Sequence, residues 1–361
     1  MAPHRRALPA QGDAGAARDA DGPAAPPHDI VVIGGSAGAV APLRAILAGL
    51  PAESPAAYFV ALHTASGGSL AARIGRPPGP LPLVPAEDGM AIRPGRVYLA
   101  AADRHLLLEP GTIRLGRGPR ENISRPAVDA LFRSAALAYG PRVVGVLLSG
   151  LLHDGAAGLD AIKRCGGLAL VQDPDEAEAP DMPRSALAAV PADACAPTDG
   201  LGAALARLVA LPAGPPGPVP EDLALEVAIA AGRPGADLER AADPSPITCP
   251  GCGGVLSQIR EGRVLRFRCQ VGHAYTAEAL ADMQGDALED ALRVALRIVK
   301  ERAELVGRMA GDARRRGNGL VAAMYEERAR EYDGHVRTIR QALGTGHDLR
   351  EAGAGPGGRP G

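Results

Sequence analysis

The sequence predicts an α/β fold, a doubly wound and mostly parallel sheet, followed by a small metal knuckle and a C-terminal helical pair. From Asp29 onward, short apolar runs alternate with helix-length stretches, as strands joined by crossover helices do. The runs Val31-Val32-Ile33 and Val143 to Leu148 are apolar without alternation, which suits central strands covered on both faces. Further on, Cys249, Cys252, Cys269 and His273 fall at metal-ligand spacing and precede an amphipathic stretch.

Residues 1–27 are nearly all Ala, Pro, Gly, Asp and Arg without a period, so a disordered tail is expected there. Strands are expected at 30–33, 57–62, 96–101, 105–108, 143–148 and 168–171, and helices near 40–49, 127–139, 156–165 and 201–210, within a catalytic unit spanning 28–211. Residues 212–246, rich in Pro, Gly and Ala, read as a linker with a short helical segment around 221–231. A zinc-ribbon-like knuckle is expected over 247–280 and a helical hairpin over 281–345, before a flexible tail at 346–361. In the first hairpin helix, Leu288, Leu292, Ala295, Val299, Ala303 and Val306 form one apolar stripe, and the glycine-bearing break at 317–319 separates it from the second.

Bulk properties narrow the function. A chain of 361 residues is long enough for more than one folded unit, and its hydrophobic content of 46% with only 2% aromatics implies aliphatic cores. A formal charge of -2 and the lack of Trp give no electrostatic footprint for nucleic acid. No apolar run is long enough to span a membrane and no signal peptide is evident, so a cytoplasmic protein is expected. Of five cysteines, three group with a histidine, and Cys165 and Cys195 read as buried apolar residues in a reducing compartment.

Gly34-Gly35-Ser36-Ala37-Gly38 follows a strand and precedes a helix, the context in which G-x-S-x-G lifts a serine nucleophile to the top of a sheet. Amides at that helix N-terminus suit an oxyanion, with Ala37 the first candidate; Leu151, in the segment before Asp154, is a further backbone candidate. Taken alone, the turn suits a phosphate about as well, although it fits neither dinucleotide nor P-loop spacing. A serine needs a base, and His63 ends the second apolar strand, where a parallel neighbour would carry it to the same edge. Asp154, after the strand ending near Ser149, is the candidate to orient that histidine, though alone it reads as a helix N-cap. His105 reads as a turn cap and His153 as a solvated neighbour, while Arg125 and Arg184 are candidates for a substrate carboxylate.

These residues, with Leu62-His63, Pro94-Gly95-Arg96-Val97-Tyr98-Leu99-Ala100, the run from Ser124-Arg125-Pro126 to Phe132, Gln172-Asp173 and Met182-Pro183-Arg184, resemble the catalytic domain of chemotaxis protein-glutamate methylesterases from Asp29 to about Leu208. The resemblance implies Ser36, His63 and Asp154 as nucleophile, base and orienting acid, and hydrolysis of glutamate methyl esters to glutamate and methanol, with glutamine deamidation as a related activity. It implies no catalytic cofactor. The substrate would be a methylated chemoreceptor or a related sensory protein, with a receptor methyltransferase or a separate response regulator as further partners. The receiver domain that normally precedes this unit is not expected. Departures from the family's pattern are Gly-Ser-Ala-Gly-Ala at the nucleophile turn, Gly150-Leu151-Leu152 before the aspartate, and the segment after His63. Two rival readings are a catalytically weak scaffold and an esterase for an unrelated small substrate.

The knuckle reads C-x2-C, then sixteen residues, then C-x3-H, with Gly253-Gly254 turning the first half and Glu261-Gly262 at the tip. Four such ligands close a tetrahedral site, so the expected zinc is structural. Similar appendages occur on stand-alone relatives of the methylesterase.

Overall fold

The computed structural model describes residues 26–63, 69–233, 238 and 241–353, with side chains through 344. The expected tail at 1–27 therefore lies outside the described residues except at Pro26 and Pro27.

In chain order the elements are β1 (Ile30–Gly35), α1 (Val40–Ala48), β2 (Ala57–Leu62), α2 (Leu70–Ile74), β3 (Leu83–Pro85), β4 (Val97–Leu99), β5 (His105–Glu109), β6 (Thr112–Gly116), α3 (Val128–Tyr139), β7 (Val143–Leu147), α4 (Ala156–Arg164), β8 (Leu168–Gln172), α5 (Asp181–Ala189), β9 (Ala194–Ala196), α6 (Leu201–Val209) and α7 (Glu221–Ala230). There follow β10 (Ala242–Thr248), β11 (Val255–Ile259), β12 (Arg266–Cys269), β13 (Ala274–Thr276), α8 (Ala277–Arg315) and α9 (Gly319–Gly353).

The first unit is a seven-stranded parallel sheet in the order β3-β4-β2-β1-β7-β8-β9. Alternate residues of β1 explain its unbroken hydrophobicity. Ile30 and Val32 enter the core formed with α3, α4 and α5, while Val31 and Ile33 enter the core formed with α1 and α6. All four are buried, so neither face has a place for a polar side chain. Chain order runs outward from β1 to β2 on one side and returns to β7 on the other, which makes the carboxyl end of β1 the topological switch point. At Gly34 an added Cβ would lie 2.1 Å from Val128 Cγ1, so the missing side chain is what lets the start of α3 press against β1.

The second unit is an antiparallel sheet of four strands, β10 to β13, beginning at Ala242. Between the two lies α7, which is docked through buried Leu223, Asp222, Glu226 and Ala230. A layer of buried charge joins the units. Arg268 of β12 reaches Glu121 at 3.0 Å and Glu226 at 3.3 Å; Arg266 pairs with Glu226 and Asp222; Arg133 of α3 pairs with Glu121. Three arginines thus meet three carboxylates away from water, an arrangement that tolerates burial only while every member keeps its partner. The arginines outweigh the burial that would raise the Glu226 carboxyl and hold it well below its ordinary range.

α8 and α9 pack together as a hairpin, with Arg302 stacked over Tyr332 and Arg314 paired with Glu326. Leu292, Ala295, Val299, Ala303 and Val306 are half-buried, but Leu288 is 61% exposed and stands outside the stripe that includes them. α9 extends through Gly353.

Candidate active site

Ser36 is the first residue beyond β1, and its amide donates to Ser149 O at 2.9 Å. The Ser149 hydroxyl, fully buried, donates to Ala37 O at 2.7 Å and accepts from the Ala179 amide at 2.9 Å, while the Ser149 amide donates to Gln172 Oε1 at 2.7 Å. The turn is thus pinned to the neighbouring strand end on both sides of the serine. Gly150 is part of that contact: a Cβ there would fall 2.0 Å from Met182 Sδ and 2.9 Å from Ser36 Cβ.

His63 follows β2, and its amide donates to Gly35 O at 3.1 Å, which ties the strand end to the glycine before Ser36. The imidazole lies 2.7 Å, Nε2 to Oδ2, from Asp154 in the turn after β7. A carboxylate accepts only, so Nε2 carries the proton and Nδ1 is left as the lone-pair nitrogen. Among the described residues no hydrogen bond joins the Ser36 hydroxyl to the ring. Such bonds are commonly long in unliganded sites and tighten around substrate.

Asp154 is 1% exposed and accepts four N–H groups. Oδ2 takes His63 and the Val128 amide, both at 2.7 Å; Oδ1 takes the Asp129 amide and Asn122 Nδ2, both at 3.1 Å. It therefore caps the N-terminus of α3, not its own helix α4, whose cap position is Gly155. Burial raises its pKa, but the hydrogen bond and charge of His63 and the two amides outweigh burial and hold the carboxyl below its ordinary value. Asp129 behaves oppositely. Burial and the neighbouring Asp154 charge push it up to about 7.

Ser36, Ala37, His63, Asn122, Leu151, Leu152 and Asp154 line a cleft of about 560 Å³, with Arg73, Arg120 and Arg125 among its other walls. The Ala37 and Leu151 amides donate to no protein acceptor among the described residues. Arg73 donates to His63 O at 3.0 Å, and Arg125 is engaged by Asp103 at 2.8 Å and by Gly118 O at 2.8 Å. Arg184 and His153 line a separate cavity beside the ribbon. His105 is buried, bonded to Pro119 O at 2.9 Å and accepting from the Ala127 amide at 3.3 Å, so it fastens the loop that leads into α3. Cys165 is buried as expected, but Cys195 is exposed, because β9 is the edge strand of the sheet. The sequence reading did not single out Asn122, Glu121, Arg133 or a role for Asp129; Asp129 lay within a quoted motif, yet nothing local pointed to its partner 25 residues away.

The ribbon gathers Cys249, Cys252, Cys269 and His273 so that their ligand atoms lie within 4.8 Å of one another. Sγ of Cys252 and Cys269 are 3.7 Å apart, and His273 Nδ1 is 3.7 Å from Cys249 Sγ and 3.6 Å from Cys269 Sγ. Zinc–sulfur bonds of about 2.3 Å in a tetrahedron place sulfurs about 3.8 Å apart, so the set fits one four-coordinate ion. The Tyr275 hydroxyl, 3.6 Å from Cys249 Sγ, is placed to donate to a thiolate ligand.

The fold and this strand-end cluster define the class: a doubly wound α/β protein in which a serine, a histidine and an aspartate converge at the switch point of a parallel sheet. The chain belongs to the CheB methylesterase family, whose model matches residues 31–205. It is 38% identical over 191 residues to protein-glutamate methylesterase/protein-glutamine glutaminase 3 of Anaeromyxobacter dehalogenans, covering 51% of this chain and 56% of that protein. A Leptospira interrogans protein provisionally named for the same two activities is 37% identical over 168 residues, 46% of this chain and 87% of its own length. The crystal structure of the Thermotoga maritima CheB methylesterase catalytic domain aligns with a TM-score of 0.48 and 33% identity, over 50% of this chain and 98% of that one. The chain spans just over half the length of the first curated relatives, 56% and 59%. Among the described residues no helix is long and apolar enough to cross a membrane.

Proposed function

We propose that the chain is a cytoplasmic serine hydrolase that demethylates glutamate methyl esters on a chemoreceptor-type signalling protein. The observation that carries this reading is the 2.7 Å bond from His63 to a buried, four-fold hydrogen-bonded Asp154 at the mouth of the cleft lined by Ser36. With Nε2–H directed at Asp154, Nδ1 removes the Ser36 proton as Oγ attacks the ester carbonyl carbon. The oxyanion that forms is met by the Ala37 and Leu151 amides. Collapse returns the proton from His63 to the departing methoxide as methanol. Water, deprotonated by the same nitrogen, then cleaves the acyl-serine to give glutamate and restore Ser36. A glutaminyl side chain follows the same path with ammonia leaving, in keeping with the double name carried by the relatives.

A receptor methyltransferase or a separate response regulator would act on or with the same substrate. The ribbon would hold one structural zinc through Cys249, Cys252, Cys269 and His273 and supply no step of the chemistry.

Methanol release from methylated receptor signalling domain tests this reading, with Ser36→Ala as the reference. Release that collapses in the variant supports it. No release above background from folded protein overturns it in favour of a scaffold, and turnover of a generic aryl ester alone favours an unrelated substrate.

A further inference from the structure

Asn122 sits where the two units meet, 4% exposed, at the tip of a tight turn closed by reciprocal Glu121 and Ser124 backbone bonds of 3.2 and 2.9 Å. Its φ of 45° and that of Ile123 at 61° are left-handed, a region asparagine tolerates well and isoleucine poorly, so the turn keeps this shape under constraint. On the ribbon side, the Asn122 amide donates to Ala274 O at 2.9 Å and its Oδ1 accepts from the Thr276 amide at 3.1 Å. On the cleft side, its Nδ2 donates to Asp154 Oδ1 at 3.1 Å and to Asp129 Oδ2 at 3.0 Å.

The orientation of this carboxamide is forced. A backbone N–H can only donate, so Oδ1 must face Thr276; the NH2 group must then face the two carboxylates. A flipped amide would set two donors against each other at one end and three acceptor oxygens together at the other. Thr276 is itself fixed, three residues beyond His273, with its Oγ1 accepting from the Ala279 amide at 3.2 Å to cap α8.

We propose that Asn122 is a positioning residue for the Asp154–His63 pair and that strand β13 of the ribbon sets its orientation, which makes the C-terminal ribbon a brace of the active site. The inference rests on the esterase reading of Ser36, His63 and Asp154. The brace lets two carboxylates lie side by side and turns Oδ2 of Asp154 toward His63, so the proton stays on Nε2 and Nδ1 faces the nucleophile. The groups that face this pair are His63 after β2, His105 on β5, Glu121 in the turn, Asp129 and Arg133 on α3, Glu226 on α7 and Arg268 on β12. Beyond the pair, the buried arginines are matched by Glu121 and Glu226, so the Asn122 carboxamide is a neutral side-chain donor to Asp154 beside the Val128 and Asp129 backbone amides.

The test uses the full, metal-loaded chain and three variants. Asn122→Ala removes the brace. Thr276→Pro removes the ribbon's N–H from it together with the capping hydroxyl, without straining the backbone, since Thr276 has φ of -70°, which proline adopts. Thr276→Ala keeps the N–H and measures the loss of the cap alone. Asn122→Ala and Thr276→Pro are expected to lower kcat by about tenfold to a hundredfold relative to Thr276→Ala, with little change in KM. Without the amide, Asp154 becomes the more basic partner and draws the His63 proton more tightly. The acid limb of kcat/KM therefore moves to higher pH, and the Nε2–H proton signal of His63 moves downfield in nitrogen-15-edited NMR. Thr276→Pro that matches Thr276→Ala in kcat and pH profile overturns the ribbon's part, and an unmoved His63 Nε2–H signal in folded Asn122→Ala overturns the positioning role. If the unaltered protein releases no methanol, the esterase reading fails, and the His63 Nε2–H signal still decides the brace.

Discussion

Asp154→Asn tests the proposed orienting role of this carboxylate at nearly constant volume. Asp154 accepts two N–H groups on each oxygen: Val128 and His63 on one, Asp129 and Asn122 on the other. An asparagine has one oxygen to offer, so its NH2 must point at a pair of donors whichever way it turns. Facing Asp129 and Asn122, it strands at least the Asp129 amide at the start of α3. Facing Val128 and His63, it strands the Val128 amide and forces the imidazole to accept on Nε2, which places the proton on Nδ1 and removes the base from Ser36. A buried donor without a partner costs about 1–3 kcal/mol, so thermal stability should fall by at least that amount. The wrong tautomer costs about 10⁴-fold in kcat in triad enzymes, equivalent to about 5 kcal/mol of transition-state stabilisation. Methanol release and thermal unfolding on the same preparation measure both. A folded variant that keeps its activity within about tenfold of the unaltered protein while nitrogen-15 NMR places the His63 proton on Nδ1 would refute the assignment of Asp154 and, with it, the direction of proton transfer.

Gly150→Ala should fold with about 1–3 kcal/mol of overpacking, since Met182 is flexible, but the new methyl 2.9 Å from Ser36 Cβ should lower kcat about a hundredfold; unchanged turnover would show that Ser36 is not held in register by this contact. The two neighbouring acids should shape the pH dependence of stability in opposite senses. Asp154, depressed by folding, contributes stability present above the unfolded carboxylate value near 4 and lost as pH falls through its lower folded value. Asp129, raised to about 7, contributes stability present below about 4 and lost as pH rises toward 7, so denaturation of Asp129→Asn should show a flatter slope between those limits than the parent. Chelation should release one metal ion per chain and make Cys249, Cys252 and Cys269 reactive together toward a thiol reagent, with loss of amide protection across β10 to β13; an unchanged thiol count would exclude the ribbon site.

The parallel sheet was legible in the sequence because a strand buried on both faces leaves a local signature: Val31-Val32-Ile33 and the run from Val143 need no knowledge of their neighbours. That Ser36, His63 and Asp154 would line one cleft was legible too. In a doubly wound fold the strand ends converge, so a residue one step beyond β1, β2 or β7 is already near the switch point. Short or edge elements were missed for the converse reason: β3, β9, α2 and the second strand of the β5–β6 hairpin are too brief, or too exposed, for a period to develop. The clustering of Cys249, Cys252, Cys269 and His273 was legible through spacing alone.

What spacing cannot convey is which buried charges will meet. Glu121, Arg133, Glu226 and Arg268 are separated by up to 147 residues and look in sequence like ordinary surface charges. Their burial becomes intelligible only when α7, read as part of a Pro- and Gly-rich linker, is found carrying Asp222 and Glu226 into the seam between sheet and ribbon. Each of these acids lies against an arginine, and no pair is self-sufficient: Arg268 bridges Glu121 and Glu226, and Glu121 is shared with Arg133. Removing one partner would leave an uncompensated buried charge, which is far more unfavourable than the intact cluster is favourable. The cluster therefore fixes which surfaces meet more than it stabilises them. Once that register is set, the Asn122 carboxamide has only one place to go, between the ribbon's Thr276 amide and the carboxylate bonded to His63.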